Sequence, residues 1–296
     1  MLVTGGLGFI GNRLCAALLE AGFGVRCVDN LSGTYAHGVG PAAEPGLRAR
    51  GAEVLIADAA PQHLRGMDAV IHLAGRPGVR TTRPAAELES ANVEPAGRLA
   101  AAAARRGARF VLVSSSSVYG DARELPTPEH APLAPLNPYA ESKVAAEAAV
   151  TARGGDAVVV RPFTVYGPGQ RPEMAFARWM DAVGRGEPVP WHAPEDAARD
   201  FTYVDDAVAG LIAALRHGHA GRTYNISGWR SIPLRSALDL LGSPPVRALP
   251  GLASEARVTS GCWQRASVEL GYAPRVHLII GLRRQLALAS FGRLAA

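Results

Sequence analysis

A glycine-rich turn near the start of the chain constrains its fold more than any other feature. The run Thr-Gly-Gly-Leu-Gly-Phe-Ile-Gly at positions 4–11 follows a short apolar stretch, with glycines spaced at Gly5, Gly8 and Gly11. In a strand–turn–helix unit, the first glycine permits a tight turn, the second lets backbone amides approach a pyrophosphate, and the third permits close packing of the helix. The helix N-terminus then faces the phosphates with its partial positive charge. The turn therefore predicts a dinucleotide-binding unit.

The next apolar segment ends in an acidic residue, which indicates the kind of dinucleotide. Asp29 follows Gly11 by 18 residues and comes directly after the segment Val25–Val28. A carboxylate here accepts hydrogen bonds from both ribose hydroxyls of adenosine and repels a 2′-phosphate, which favours NAD over NADP. Asp58 follows the third apolar segment and is a candidate for contact with the adenine amino group. Its alternative role is that of a turn or helix-cap residue.

Six short, mainly apolar segments predict the strands of one sheet. They are near-continuous apolar runs rather than alternating ones, which is typical of a parallel sheet covered by helices on both faces. The predicted strands begin at Val3 and lie at 25–28, 54–56, 70–73, 110–113 and 157–160. Helical patterns lie at 9–21, 85–106 and 138–152. Pro95 lies inside the second of these patterns, so we expect it to kink or break that helix.

The pattern changes after about residue 165, where proline and glycine become frequent and regular alternation ends. We therefore predict an α/β fold with two parts. Residues 1–165 form a Rossmann domain with a doubly wound parallel sheet, and residues 166–296 form a smaller α/β C-terminal lobe for the substrate, with some crossing of the chain between them. Polar residues gather where the predicted strands end, at the edge where doubly wound sheets bind ligands.

The composition argues against several other classes of protein. Apolar residues make up 48% of the 296 residues and charged residues 19%, which is ordinary for a globular protein. The net charge of +5 includes no basic run, so we do not expect nucleic acid as a partner. Neither a signal peptide nor a membrane-spanning stretch is recognisable. The three cysteines lack metal-ligand spacing, so we predict no metal site and a reducing, cytoplasmic setting.

A single lysine stands among the 31 lysine and arginine residues. Lys143 follows Tyr139 by four residues, so on a helix the two side chains lie on one face, one turn apart. A compact ammonium favours the phenolate form of a neighbouring tyrosine, and Tyr139 can then act as a general base towards a sugar hydroxyl. The alternative is that one lysine survives here by chance. The hydroxyls of Ser114–Ser117, after the fifth predicted strand, either bond a reacting group or cap the following turn.

Taken together, these motifs resemble a known family. The runs TGGLGFIG, DNLS, HLA, SSSSVYG, PYAESK and RDFTYVDD occur in the order found in the extended short-chain dehydrogenases/reductases. Within that group the chain is most similar to the nucleotide-sugar epimerase/dehydratase branch. The resemblance covers essentially the whole chain. It implies NAD as cofactor, a nucleoside diphosphate sugar (UDP being the expected nucleotide) as substrate, and a homodimer formed through the helices near 90–106 and 138–152.

The resemblance also implies roles for individual residues. The catalytic residues would be Tyr139, Lys143, Ser115 and Ser116. The cofactor-binding residues would be Gly5, Gly8, Phe9, Ile10, Gly11, Asp29, Asn30, Ser32, Asp58, Leu73, Ala74, Tyr139 and Lys143. The substrate-binding residues would be Gly78, Arg80, Thr164, Arg171, Arg199 and Arg257, with Arg199 and Arg257 on the diphosphate.

Two comparisons with the family narrow the reaction. The 4,6-dehydratases carry an Asp-Glu pair where this chain has Ser116-Ser117, and the UDP-glucuronate decarboxylases carry Glu in place of Ser117. Without these acids, redox chemistry without elimination remains, which means epimerisation at C4. The run RPFTVYGPGQRPEM at 161–174 is similar to that of UDP-glucuronate 4-epimerases. By that match Thr164 and Arg171 would hold the C6 carboxylate, although Arg171 has a diphosphate or turn role as its alternative.

The resulting hypothesis is NAD-dependent C4 epimerisation of a nucleoside diphosphate uronic acid, UDP-glucuronate to UDP-galacturonate, through a transient 4-keto intermediate. One alternative is a UDP-glucose 4-epimerase. Another is an NDP-uronate decarboxylase or a further NDP-sugar oxidoreductase of the same family. A non-catalytic protein that senses NAD is the alternative from a different class, and the combination of Tyr139, Lys143 and Ser115 argues against it.

Overall fold

A parallel sheet forms the centre of the computed structural model, which describes residues 1–36, 38–78, 83–251 and 254–294. The strands are β1 (Leu2–Thr4), β2 (Arg26–Asp29), β3 (Glu53–Ile56), β4 (Ala69–His72), β5 (Arg109–Val113), β6 (Ala157–Pro162), β7 (Val165–Tyr166), β8 (Val189–Trp191), β9 (Ala198–Asp200), β10 (Thr202–Tyr203), β11 (Thr223–Ile226), β12 (Ser231–Pro233) and β13 (Val246–Ala248). Seven of them form the central sheet in the order β3-β2-β1-β4-β5-β6-β11, and each neighbouring pair is parallel. This is the doubly wound arrangement predicted from the sequence.

Helices cover both faces of this sheet. The α-helices of the described residues are α1 (Phe9–Glu20), α2 (Glu44–Ala49), α3 (Ala85–Leu88), α4 (Glu94–Ala104), α5 (Pro138–Thr151), α6 (Ala175–Gly184), α7 (Val204–His217), α8 (Leu234–Asp239), α9 (Gln264–Leu270) and α10 (Leu278–Leu294). Of these, α1, α2, α7 and α9 pack on one face of the sheet and α4 and α5 on the other. Within the described residues, no helix combines the length and apolar character needed to cross a bilayer.

All six predicted strands are confirmed, with ends that differ from the prediction by at most two residues. The seventh strand, β11, was not predicted. It follows α7 and pairs with β6 at the far edge of the sheet, with Thr223 opposite Val159. The chain therefore returns to the central sheet from the region expected to form the second lobe. The boundary at residue 165 stays a prediction.

The helix predicted at 85–106 is interrupted, as expected from Pro95, and the interruption lies just before the proline. α3 leads into a π-helical turn at Glu89–Val93, and α4 then begins with Pro95 in its first turn. Proline lacks an N–H donor and its ring crowds the preceding turn, so a regular α-helical pattern cannot pass through it. The wider π turn buries Asn92, which proves important for the site described below.

The core consists of two apolar layers, one on each face of the sheet. On one face, Val3, Ile71 and Val111 pack with residues of α1, α7 and α9. On the other face, Phe110 and Leu112 pack with residues of α4 and α5. Burial of each side chain of this size contributes roughly 1.5–3 kcal/mol to the stability of the fold, relative to exposure. The two layers therefore hold the helices against the strands of the central sheet.

The second half of the chain adds an aromatic cluster at the edge where the strands end. Tyr166 packs edge-on against Phe176 and Tyr203, with ring centroids 5.5 Å apart in both cases. Phe9 and Ile10, which follow the glycine turn, pack partly against the same cluster. The cluster therefore joins the second half of the chain to the first turn of α1.

Candidate active site

A large cleft lies between the carboxyl ends of the central strands and the second half of the chain. Its volume is about 1610 Å³, whereas pockets for one small ligand are about 300–1,000 Å³. The cleft is therefore large enough for a dinucleotide and a second ligand together. Most of the predicted site residues line it: Gly5, Gly8, Phe9, Ile10, Gly11, Asp29, Asn30, Ser32, Asp58, Leu73, Ala74, Gly78, Ser115, Ser116, Tyr139, Lys143, Thr164, Arg171 and Arg199.

Two predicted substrate residues are not among them. Arg80 lies outside the described residues. The Arg257 side chain is exposed and paired with Asp196, and it is not part of the cleft lining. The backbone carbonyl of Arg257 instead accepts a hydrogen bond from Arg199 at 3.0 Å, so the structure relates Arg257 to the cleft through Arg199.

The glycine turn can adopt its tight form only because side chains are absent at two of its positions. Gly5 has a φ of +69°, and a Cβ on it would lie 2.8 Å from the backbone nitrogen of Ala74. A Cβ on Gly11 would lie 2.1 Å from the carbonyl oxygen of Gly5. Both contacts are too short for any other residue. The turn therefore stays tight and the N-terminus of α1 opens into the cleft, as a pyrophosphate site requires.

The acidic residue at the end of β2 has protein partners that the sequence did not reveal. The Asp29 carboxylate accepts hydrogen bonds from the backbone N–H of Leu7 at 3.1 Å and of Leu31 at 2.9 Å. It also accepts one from the Tyr35 hydroxyl at 3.0 Å. Burial and this neighbouring carboxylate raise the pKa of Tyr35 to about 12, so the phenol remains a donor. An ionised carboxylate has about four acceptor sites, so Asp29 keeps capacity for a ligand hydroxyl.

The remaining predicted adenosine residues form one connected group. Asn30 donates from its amide nitrogen to Asp58 at 2.6 Å. The backbone N–H of Ser32 donates to the Asn30 side-chain oxygen at 3.1 Å. Arg76, which the sequence reasoning did not single out, donates to the Ser32 carbonyl and also lines the cleft. The adenine contact of Asp58 stays a prediction.

Helix α5 carries Tyr139 and Lys143 to the end of β5. The helix begins at Pro138, and the Asn137 side chain caps it by accepting a hydrogen bond from the N–H of Ala140 at 2.9 Å. The Lys143 ammonium is buried and donates to the carbonyl of Val113 at 3.0 Å. Its nitrogen lies 6.0 Å from the centre of the Tyr139 ring. The lysine is therefore fixed against the sheet, with the phenol one helical turn away in the same cleft.

The serines after β5 cap a turn, which is one of the two roles considered for them, and they also lie in the cleft. Ser115 caps the short helical turn 116–119, because its hydroxyl accepts hydrogen bonds from the Ser117 N–H at 3.2 Å and the Ser117 hydroxyl at 2.9 Å. Ser115, Ser116 and Ser117 all line the cleft as well. This part of the cleft, which we call the serine wall, consists of Ser115–Ser117 and therefore presents hydroxyl groups rather than carboxylates.

His72 lies at the end of β4 but is not equipped for acid–base chemistry. Its Nδ1 lies 2.7 Å from the Thr4 hydroxyl. Burial, together with the charge of Lys143, lowers the pKa of His72 to about 3. The imidazole is therefore neutral at physiological pH and has a structural role at the base of the site.

A buried asparagine in the π turn links the two sides of the cofactor region. The Asn92 side chain accepts from the backbone N–H of Arg76 at 2.6 Å and donates to its carbonyl at 3.1 Å. The same amide donates to the Ser142 hydroxyl on α5 at 2.8 Å. Asn92 thus positions the loop after β4 against the helix of Tyr139. The only sequence signal for it was the expected break near Pro95.

A buried ion pair, which the sequence did not reveal, lies next to the serine wall. Arg161 on β6 donates to both carboxylate oxygens of Glu147 on α5, at 2.9 and 2.6 Å, and Glu147 also accepts a hydrogen bond from the Ser114 hydroxyl. Burial disfavours the charge on Arg161, but the bonds and charge of Glu147, with Tyr119, raise the pKa of Arg161 overall. An arginine inside an apolar strand, and a glutamate four residues after Lys143, were the available signals.

The substrate half of the cleft contains arginines that are already paired with carboxylates. Arg171 lies 3.1 Å from the Glu173 carboxylate, and Arg199 lies 3.3 Å from that of Glu255. All four side chains belong to residues that line the cleft. Thr164, in the turn between β6 and β7, also lines the cleft. The cleft therefore has one part built on glycines and Asp29, and a second part that carries two arginines, each beside a carboxylate.

Comparisons with known proteins place the chain in a family. Residues 1–227 match the epimerase family described as the NAD dependent epimerase/dehydratase family. A UDP-glucose epimerase of Bacillus subtilis (strain 168), described as uncharacterized, is 32% identical and matches over 98% of both chains. A dTDP-glucose 4,6-dehydratase of Streptomyces griseus is 34% identical over 97% of this chain and 93% of its own length.

A solved structure is similar over the same extent. The crystal structure of UDP-glucuronic acid 4-epimerase from Bacillus cereus, in complex with UDP-glucuronic acid and NAD, superposes with a TM-score of 0.91 at 30% identity, covering 98% of each chain. The resemblance predicted from the motifs and the expectation of NAD are both confirmed. Because the family match and these similarities span nearly the whole molecule, the chain belongs to the NAD-dependent epimerase/dehydratase family.

Proposed function

We propose that this enzyme epimerises UDP-glucuronate to UDP-galacturonate at C4 through a transient 4-keto sugar. The observation that carries the proposal is the serine wall. Tyr139 lines the same cleft as the hydroxyl-bearing residues Ser115–Ser117, and Arg171 lines this cleft as well. Dehydration and decarboxylation in this family rely on acids at the positions of Ser116 and Ser117, and the wall offers none there. Oxidation at C4 followed by reduction needs no such acid.

The side chains of the site divide the work of the reaction. Tyr139 takes the proton of the 4-hydroxyl as general base, and the Ser115 hydroxyl bonds the same oxygen. Lys143, held by the Val113 carbonyl, places its ammonium 6.0 Å from the centre of the Tyr139 ring, one turn along the same helix. NAD, when bound, would accept the hydride from C4 and would later donate it back. The sugar turns over between these two events, so the hydride returns to its other face.

The carboxylate of the substrate needs a firm hold during this cycle. Oxidation of C4 creates a β-keto acid. Such an acid loses CO₂ when the bond between C5 and the carboxylate carbon is aligned with the π orbitals of the C4 carbonyl. Arg171 and Thr164, both in the cleft lining, are suited to hold the carboxylate out of that alignment. This requirement gives a chemical reason for an arginine and a hydroxyl at this end of the cleft.

The direct test is to incubate the purified protein with UDP-glucuronate, without added NAD, and to separate the products. Formation of UDP-galacturonate at a fixed final ratio supports the proposal and indicates that NAD stays bound between turnovers. Release of CO₂ with a UDP-pentose contradicts it, because the serine wall would then not prevent decarboxylation.

A neutral-sugar epimerase acting on UDP-glucose is the second candidate. The specific observation in its favour is the Arg171–Glu173 pair, since an arginine already neutralised by the protein does not require an anionic sugar. The similarity to a UDP-glucose epimerase points the same way. Turnover of UDP-glucose, in the absence of any turnover of UDP-glucuronate, would establish this alternative.

The variant Arg171→Ala separates the two candidates. A hydrogen bond to a charged group contributes about 1.5–3 kcal/mol, so we expect kcat/KM for UDP-glucuronate to fall by about 10- to 150-fold. Turnover of UDP-glucose should change far less. Arg185→Ala, which removes an exposed arginine at the end of α6, is the matched control. Equal losses for both substrates would remove Arg171 from the carboxylate site.

We also propose that the enzyme is a cytoplasmic homodimer. The family resemblance implies pairing through α4 and α5, and α5 exposes the small side chains of Ala145 and Ala148, which would permit close helix approach. All three cysteines are unpaired, which suits a reducing compartment. Light scattering should give twice the chain mass of 30.9 kDa; a mass of one chain would contradict the dimer.

A further inference from the structure

The arginine assigned to the substrate carboxylate has a partner from its own loop. Arg171 and Glu173 stand two residues apart before α6, and their charged groups lie 3.1 Å apart at Nε and Oε1. The Arg171 side chain is 20% exposed and that of Glu173 is 52% exposed, so Glu173 lies on the open side of the pair. Both residues line the cleft.

The contact between them is an ion pair without a good hydrogen bond. The Nε–H of Arg171 is covered from solvent, yet no acceptor lies in line with it. Half-exposed ion pairs contribute little to stability, because water competes for both charges. Glu173 therefore neutralises Arg171 but holds it weakly, and an incoming carboxylate with better geometry can take its place.

We propose that Glu173 is the resident counter-ion of Arg171 and sets how strongly the enzyme prefers a uronate over a neutral hexose. The inference rests on the proposed function of Arg171 as the carboxylate ligand. When a uronate binds, its carboxylate displaces Glu173. When a neutral sugar binds, Glu173 stays in place and spares Arg171 the penalty of an unpaired charge in a filled cleft. Glu173 thus weakens uronate binding and makes a neutral sugar tolerable.

A second pair in the cleft provides an internal comparison. Arg199 donates to the carbonyls of Ala198 and Arg257, both at 3.0 Å, and lies 3.3 Å from Glu255. If Arg199 binds the diphosphate, as the resemblance implies, Glu255 competes with a group that every nucleotide sugar carries. Removing the charge of Glu255 should then change the binding of uronate and hexose by the same factor. Only the pair at Arg171 should distinguish the two sugars.

The test compares dissociation constants for UDP-glucuronate, UDP-glucose and UDP, measured by calorimetry on the NAD-loaded protein. In Glu173→Gln we expect UDP-glucuronate to bind about two- to five-fold more tightly, with UDP-glucose unchanged or weaker and UDP unchanged. In Glu255→Gln the ratio of the two sugar constants should stay at the wild-type value. Asp181→Asn, which removes an exposed carboxylate of α6 paired with Arg185, is the control for charge alone.

The outcomes separate this inference from the proposed function. An unchanged or smaller preference for UDP-glucuronate in Glu173→Gln overturns the counter-ion role. Failure of the wild type to epimerise UDP-glucuronate overturns the proposed reaction, whereas the binding constants still report on Glu173. If Arg171→Ala leaves the dissociation constant for UDP-glucuronate unchanged, Arg171 does not hold the carboxylate and the inference falls with that role.

Discussion

Phenylalanine in place of Tyr139 is expected to lower kcat by about 10²–10⁴-fold, the range that general acid–base groups contribute. The phenol lies in the cleft on α5, one turn from the buried ammonium of Lys143, whose nitrogen is 6.0 Å from the ring centre. Phenylalanine keeps the ring but cannot accept the 4-hydroxyl proton. Turnover of UDP-glucuronate under saturating substrate measures the loss.

The same variant should still bind NAD, because the glycine turn and Asp29 are unaffected. NAD released on denaturation, counted per chain, checks this directly. Tyr224→Phe is the matched control, since it removes a phenol hydroxyl that donates to Glu269 of α9, and Tyr224 is not among the residues that line the cleft. Retention of more than a tenth of wild-type kcat in Tyr139→Phe would show that another group takes the proton.

The second large effect is expected on stability rather than chemistry. Glu147→Gln removes the charge that compensates Arg161, and both side chains are less than a tenth exposed. Breaking a buried ion pair by removing one partner costs about 3–5 kcal/mol, because the remaining charge stays buried without compensation. We expect the free energy of unfolding to fall by this amount and Tm to fall on the order of 10 °C.

Thermal unfolding of Glu147→Gln beside Glu141→Gln makes the comparison. Glu141 stands on the same helix but is exposed, so its substitution should leave Tm close to the wild-type value. Equal melting temperatures in the two variants would mean that the Arg161 charge finds water or another partner. Loss of Glu147 should also disturb the site, since Ser114, which it holds, directly precedes Ser115.

The parts of this structure that follow local rules were predictable from the sequence. The six strands are mainly apolar because most of their residues are buried, and the glycine turn is recognisable because Gly5 and Gly11 tolerate no side chain. Tyr139 and Lys143 were found because helical spacing alone brings them together. Strand β11 escaped notice because it lies beyond a proline- and glycine-rich region, where nothing local shows that a segment returns to the sheet.

The partners of the site residues could not be predicted in the same way. Asp29 accepts a bond from Tyr35 and Arg171 pairs with Glu173, and each contact depends on how a loop turns in space. The side chain of Arg257 points its charge to Asp196 outside the cleft lining, although its motif position suggested the diphosphate. Motifs thus indicate which residue types the chemistry requires, whereas tertiary packing decides which of them are neutralised, buried or displaced.

The position of β11, late in the sequence, has a consequence for folding during synthesis on the ribosome. β6 ends at Pro162 and its outer neighbour β11 ends at Ile226, 64 residues later. At about 5–20 residues per second, translation leaves the outer edge of β6 unpaired for roughly 3–13 s. An open strand edge is a template for association with other chains. The central sheet is therefore complete only after the second half of the chain has been synthesised as far as β11.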